Sequence, residues 1–229
     1  MTNDDHHKTS SDSFTIRPLA TIDEFRQAED VQRLAWNWST ERSIVPLNMM
    51  VALQHHGGLT AGAFNAEGKL IGFVLSFLGR TGRGKLKHCS HMLGVIPEAR
   101  QQEIGFRLKV FQRQYILQHL DLDLITWTFD PLEAVNAHLN INKLGCVTRK
   151  YIYNIYGEWN EGINQGLPTD RFEVEWWLDS PRVRERMQGT PPDPAPAAVT
   201  VLQAEPSADG LARPGSFVHD ADAPVLRVE

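Results

Sequence analysis

Cysteine is nearly absent: Cys89 and Cys146 are the only two in 229 residues. Two thiols cannot build a disulfide framework, and they point to a reduced, cytoplasmic setting. Long hydrophobic runs are missing as well. No stretch approaches the ~20 apolar residues that span a bilayer, so no membrane partner is expected. There is no Lys/Arg run either, and the net charge is −5, which argues against nucleic acid as a partner. The opening "MTNDDHHKTSSDS" lacks the apolar centre of a secretion signal and reads as a disordered leader over residues 1–12. No internal repeat is visible.

What is present suits a globular protein: 41% hydrophobic and 22% charged residues, in a chain long enough for one core plus an extension. Proline is unevenly spread, with seven of 13 in residues 189–229. That segment reads as a linker or extended tail, with edge strands at "VTVLQ" and "PVLRVE". The folded unit is therefore expected over residues 13–188.

Inside it, "FTIRPLA" is a short strand. Residues 21–36 form a helix that opens on a capping box, Thr21 with Glu24 three positions on. A second helix over residues 46–56 stops at Gly57-Gly58. "LTAGAFN" and "KLIGFVLSFLG" are strands joined by the hairpin turn "AEGK", and residues 85–96 form a third strand of that group. Residues 101–119 are helical, with Ile104, Leu108, Phe111 and Tyr115 on one face. A strand over 122–129, a helix over 132–145 and the strands "TRKYIYNIYG" and "RFEVEWWLD" complete the unit. The order β-α-α-β-β-β-α-β-α-β-β gives a mixed α/β (α+β) fold. The strands 85–96 and 122–129 flank a helix, so they should lie parallel. Trp176 and Trp177 put one ring on each face of their strand, one for the core and one for a partner such as a second copy in a homodimer.

The strand "HMLGVI" runs through Pro97 into a helix. The first N–H groups of such a helix have no intrahelical partner, and together with the helix dipole they favour an anion. Arg100 stands at the mouth, suited to a phosphate. The ordered set Arg100-Gln101-Gln102-Glu103-Ile104-Gly105 resembles the acyl-CoA pyrophosphate loop of the GNAT N-acyltransferase superfamily, which reads Gln or Arg, two free residues, Gly, one free residue, then Gly or Ala. "NAHLNINKLGC" is similar to that family's asparagine-led helix ending in a Lys-x-Gly turn, and the element order agrees. Within the superfamily, "SHMLGV … FDPLEAVNAHLNINKLG" resembles a branch of predicted acyltransferases whose relatives include amino-acid N-succinyltransferases.

The resemblance implies a mostly antiparallel twisted sheet, splayed where the strand pair receives acyl-CoA. It implies backbone hydrogen bonds from Leu93 and Val95 to the pantetheine arm, with the acyl carbonyl at a bulge near the Val95 N–H, and a further bond from Asn136. It implies transfer of an acetyl or larger acyl group, such as succinyl, from acetyl-CoA or succinyl-CoA to a small-molecule primary amine, with an amino acid as one acceptor. No metal is called for. Two positions depart from the pattern. Glu103 replaces the middle glycine; in the first helical turn right-handed geometry would suit it, leaving its carboxylate turned to solvent. Ile141 replaces the tyrosine that protonates the leaving thiolate in many members.

The amine must lose a proton, and histidine suits that role. His88 and His91, three apart on a strand, face opposite sides and cannot share a metal. His91 shares a face with Leu93 and Val95 by period 2, which makes it the better candidate base. A substrate contact and a structural role are the other readings. The resemblance implies that the first two helices roof the acceptor site; there Trp36, Trp38, Met49 and Met50 form either a bulky acceptor wall or plain core, and Arg42 between the helices either fixes an acceptor carboxylate or is a solvated loop residue. Asp130 either caps the turn into its helix or orients the amine. Two rival readings are a non-catalytic acyl-CoA-binding module and a protein-interaction module.

Overall fold

Strand β1 (Phe14–Pro18) begins the folded unit in a computed structural model that describes residues 14–38, 43–100, 102–157, 168–192, 199–208, 212–218 and 226–228. The leader over residues 1–12 lies outside the described residues. Helix α1 (Ile22–Trp36) opens on the expected capping box: the Thr21 hydroxyl accepts from the Glu24 N–H at 3.3 Å, and the Glu24 carboxylate accepts from the Thr21 N–H. Glu24 also holds Arg17 at 2.7 Å, which ties α1 to β1. Helix α2 (Leu47–His55) comes next. Its approach is fixed by Gln32, fully buried on α1, whose amide bonds both the N–H and the C=O of Val45.

After α2 the chain forms β2 (Leu59–Asn65), β3 (Leu70–Arg80) and β4 (Leu86–Val95), then a single 3₁₀ turn over Pro97–Ala99. Helix α3 (Ile104–His119), β5 (Leu124–Phe129) and a short helix α4 (Ala134–Ala137) succeed it. The last winds on as a wider π-type turn over His138–Lys143. Then β6 (Val147–Ile152), β7 (Arg171–Trp177) and α5 (Pro181–Met187) close the unit. The expected order holds, with α5 added. The seven strands form one sheet in the order β1-β2-β3-β4-β5-β7-β6, in which only β4 and β5 lie parallel. No helix among the described residues is long and apolar enough to cross a membrane.

Two features of β4 shape the region around it. The first is a fork: β4 and β5 pair only at His88 with Ile125 and Cys89 with Thr126. Beyond that vertex, the edge of β4 from Ser90 to Val95 has no strand partner on the β5 side among the described residues. The second is a bulge. Leu75 faces Met92 and Ser76 faces Ser90, so His91 is an extra residue against β3. A one-residue insertion reverses the alternation of side chains across it. Past the bulge, a Cβ on Gly94 would meet Trp36 and Ala35 of α1, whereas the Leu93 side chain reaches Gly105 of α3. The helices α1 and α3 therefore cover opposite faces. Before the bulge Ser90 points to α3, where Lys109 bonds it. The face that α3 buries differs from the expected one: it carries Ile104, Leu108, Lys109, Gln112 and Ile116, while Phe111 and Tyr115 are only half-buried.

The core divides at the fork. Phe14, Phe25, Val31, Leu59, Phe73 and Leu75 pack between β1–β4 and the first helices. Ile125, Phe129, Cys146, Val174 and Trp176 pack around β5 and β7. Trp176 is fully buried, with its Nε1 donating to the Leu144 carbonyl at 2.8 Å, and Trp177 is half-exposed on the other face. Since β7 lies inside the sheet, between β5 and β6, it offers no free edge to a second copy.

Residues 192–229 form a separate unit. The tail reading is corrected there. Strands β8 (Val199–Pro206), β9 (Ala212–Phe217) and β10 (Leu226–Val228) make their own three-stranded sheet, order β10-β8-β9. The two segments read as edge strands of a larger sheet pair with each other in parallel. Proline does not prevent this, because Pro206 ends β8 and Pro214 sits on the edge strand β9, where a missing N–H costs no interior ladder bond.

Candidate active site

The loop from β4 to α3 brings the expected phosphate residues together, with changed roles. Arg100, exposed beside the loop, is tied to α1. Its Nη2 donates to the Ala35 carbonyl at 2.7 Å. That carbonyl belongs to the last turn of α1, where carbonyls lack intrahelical partners and the dipole end is negative, so a guanidinium is well matched there. Gln101 and Arg42 lie outside the described residues. Gln102 and Glu103 lead into α3, and the N–H groups of Ile104, Gly105 and Phe106 begin the helix without a partner inside it; the first helical bond is from Arg107 N–H to the Glu103 carbonyl at 3.0 Å.

Glu103 is not in the first turn with right-handed geometry. It is the residue before the helix, and it is left-handed, with φ 56° and ψ 16°. That backbone suits glycine and costs a residue that carries a Cβ about 1 kcal/mol. Its carboxylate is not simply turned to solvent. It accepts from Lys143 Nζ at 2.6 Å, an ion pair that reaches from the start of α3 to the end of the turn after α4. The Lys143 hydrogen bond and charge hold the Glu103 carboxyl below its usual range.

Along β4, Leu93 and Val95 are half-buried with side chains toward α3, and their strand has an open edge facing the fork. The bulge lies at His91, four residues before Val95. His91 therefore does not share the face of Leu93 and Val95; the extra residue breaks the period of 2 on which that expectation rested. Its ring lies beside Phe77, centroids 6.1 Å apart. Phe77 pairs with Cys89 and faces away from α3. His91 is exposed on that face, although protein on one side removes enough water to hold its pKa below the ordinary histidine value. His88 is on the other face, as expected, and fully buried.

Around His91 the same face carries Lys87, whose Nζ donates to Thr126 Oγ1 at 2.8 Å and lies 3.6 Å from Glu173. Lys150 bonds Glu173 at 2.9 Å. Burial raises the Glu173 pKa, but the Lys150 bond and the charges of Lys150 and Lys87 outweigh it and keep the carboxylate ionised. Asp130 accepts from the Leu132 N–H at 2.9 Å and faces Arg171 at 3.4 Å, so the turn-capping role is realised. Trp36 stacks on Trp38 at 4.9 Å and packs edge-on to Phe73, closing the α1 side against Gly94. Asn136 stands exposed on α4, and Ile141 packs into the second core cluster.

One group escaped the sequence reading. Lys109 is 3% exposed in the middle of α3. Its Nζ donates to Ser90 Oγ at 2.7 Å and Gln112 Oε1 at 3.2 Å, and sits 3.6 Å from the Trp127 ring centroid. The only available signal was that Lys109 and Gln112 fall on the stripe set by Ile104, Leu108 and Ile116.

No protein-family profile matches the sequence, and no curated protein matches it. Solved structures do. Similar folds include yncA from Salmonella typhimurium with its cofactor acetyl-CoA, at 16% identity and TM-score 0.58, covering 73% of this chain and 95% of that one. The ribosomal-protein-S18-alanine N-acetyltransferase from Escherichia coli is similar at 15% identity and TM-score 0.56, covering 73% and 95%. The NatC complex bound to Gag peptide and CoA is similar at 16% identity and TM-score 0.55, covering 71% and 97%. The chain has the fold of the GNAT acetyltransferases.

Proposed function

We propose that this chain is a CoA-dependent N-acyltransferase that moves an acyl group from acyl-CoA directly to a primary amine. The observation that carries the reading is the fork. β4 leaves β5 after two residue pairs, and its open edge runs up to the first N–H groups of α3, which have no partner inside the helix. An open strand edge suits the amides of a pantetheine arm, and a helix N-terminus suits a pyrophosphate. The neighbouring folds solved with CoA or acetyl-CoA support the same donor.

In this reading Leu93 and Val95 hold the pantetheine by their backbone, and Gln101, Gln102, Ile104 and Gly105 surround the pyrophosphate. Arg100 acts by fixing the loop to α1. Glu103 must release Lys143 or turn aside for the phosphates, after which Lys143 is a free cation at the same spot. Asn136 meets the pantetheine from the α4 side. His91, on the face away from α3, takes the proton from the amine; its lowered pKa keeps the imidazole neutral, and so basic, at pH 7. A β4 backbone N–H at the bulge meets the developing oxyanion. Trp36, Arg42 and Asp130 line the acceptor side. The acceptor is a small amine, with an amino acid favoured, and the acyl group is acetyl or larger, such as succinyl. A homodimer would form through the half-exposed face that carries Trp177.

A second reading has its own observation. The Glu103–Lys143 pair ties the start of α3 to the turn after α4 and puts a carboxylate at the helix N-terminus, which suits a module that binds acyl-CoA weakly and does no chemistry. Release of free thiol from acetyl-CoA and succinyl-CoA, with amino acids, polyamines and N-terminal peptides as acceptors, separates the two. The enzyme reading expects turnover with at least one amine, and a fall of about 10²-fold or more in kcat for His91→Ala with CoA affinity unchanged. CoA binding with no thiol release for any amine would support the module instead.

A further inference from the structure

The fork has a filled vertex. The last residues that pair β4 with β5 are Cys89 and Thr126, and the next residue on each strand is Ser90 and Trp127. The Lys109 ammonium touches both: 2.7 Å from Ser90 Oγ and 3.6 Å from the Trp127 ring centroid. Lysine is almost never fully buried unless paired, yet Lys109 has no carboxylate partner among the described residues. Its polar contacts are Ser90 and Gln112, and Gln112 is itself fully buried. A cation is thus held at the point where the strands begin to part.

Ser90 makes this arrangement directional. Its hydroxyl oxygen accepts twice, from Lys109 Nζ at 2.7 Å and from Gln112 Nε2 at 3.3 Å. A serine hydroxyl has two acceptor lone pairs and one proton to give. Both lone pairs are used, which leaves the proton as the group this hydroxyl has to give. Donation from an ammonium also polarises the hydroxyl and makes it a stronger donor. Meanwhile Ile141 puts an aliphatic chain where the resemblance would have a proton-donating tyrosine.

Resting on the acyltransferase reading above, we infer that Ser90 and Lys109 are the proton-delivering pair for the departing thiolate. As the C–N bond forms and the C–S bond breaks, the bonding electron pair goes to sulfur. Ser90 Oγ–H gives its proton to that sulfur, and Lys109 Nζ–H gives one to the serine oxygen. The products are free thiol and a neutral lysine, which takes up a proton from solvent before the next turnover. The proton lost by the amine goes to His91 across the sheet, which returns it to solvent, so the cycle closes with no net gain of protons.

The surroundings of Lys109 fit that cycle. From β4 it meets His88, which burial pushes down to about 4. From the segment before β6 it meets Cys146, which burial pushes up to about 12. Both are neutral around pH 7, so neither pins the lysine in its charged form. Burial lowers Lys109 itself to about 7, close to the pH at which a group both gives and regains a proton readily.

The test compares wild type, Ser90→Ala, Ser90→Thr and Lys109→Met, each by CoA affinity and by kcat against pH with acetyl-CoA. Lys109→Met swaps a buried ammonium for an apolar chain of similar length and should fold. Wild-type kcat should fall above about pH 7, as Lys109 loses its proton. Ser90→Ala and Lys109→Met should lower kcat about 10²-fold, the low end for acid–base residues because a thiolate is weakly basic, and should lose that alkaline limb. CoA affinity should stay within twofold, and Ser90→Thr, which keeps the hydroxyl, should retain most of the activity. Turnover by wild type with an unchanged pH profile in Ser90→Ala and Lys109→Met would overturn the inference alone. A wild type that neither binds CoA nor releases thiol would overturn it together with the function it rests on.

Discussion

At the scale of single residues, burial decides which groups matter. His88 is fully buried, with Nε2 at 3.1 Å from the Gly57 carbonyl and Nδ1 without a partner among the described residues. The fold accepts its neutral form. Its folded pKa of about 4 lies below the ordinary value of about 6.5, so the unfolded chain takes up the proton first as pH falls. Stability from this group is therefore intact above pH 6.5 or so and is lost between there and about pH 4, by about 3 kcal/mol. His88→Gln keeps a donor for Gly57 and does not titrate. Its urea midpoint should fall less than that of wild type across this window; parallel curves would contradict the account. Glu103 yields a second expectation. Glu103→Gly relieves a left-handed backbone and removes an exposed ion pair worth at most about 1 kcal/mol, so stability should change by no more than about 1 kcal/mol. CoA should bind at least about fivefold tighter, since a like charge near the phosphates costs about 1 kcal/mol even in water. Unchanged or weaker binding would place the pyrophosphate elsewhere. The sequence showed that Glu103 was anomalous but not why, because a left-handed φ has no signature when the residue is not glycine or asparagine.

At the scale of elements, local chemistry was readable and register was not. The Thr21–Glu24 box, the Gly57-Gly58 stop, the "AEGK" turn and the parallel pair around α3 all follow from neighbours in sequence. The bulge at His91 does not. An inserted residue exists only relative to the partner strand, so alternation along β4 looked regular and assigned His91 to the wrong face. The lysine at the vertex was hidden for a similar reason, since its partners Ser90 and Trp127 come from two strands. By contrast α5 was missed although its signal was present, with Ser180 as cap and Pro181 at the first helical position. The Ser180 hydroxyl accepts from the Val183 N–H at 3.4 Å. Ser180→Ala should cost about 1 kcal/mol in chemical denaturation. α5 packs on the turn that follows α4, where Arg182 donates to the Gly145 carbonyl at 3.1 Å; loss of the cap leaves that contact in place, so CoA binding should be unaffected, and a loss of binding would link this helix to the site.

At the scale of the whole molecule, two core clusters meet across one short parallel pairing. The sheet is thereby held open along β4, and the helix that bridges the clusters presents its N-terminus at the far end of the opening. Composition alone read the last 41 residues as a linker or extended tail with no core of its own, carrying edge strands at most. It overlooked that Pro206 ends β8 and Pro214 lies on the edge strand β9, which leaves a small sheet intact. The central claim is that the fork is a CoA site. Its most direct measurement is thermal and chemical denaturation of the full chain with and without CoA, acetyl-CoA and succinyl-CoA. One saturable site should stabilise the fold by about 2.7 kcal/mol at 100 times Kd, with the preferred acyl-CoA giving the largest shift at equal concentration. No stabilisation by any of the three at millimolar concentration would contradict the account.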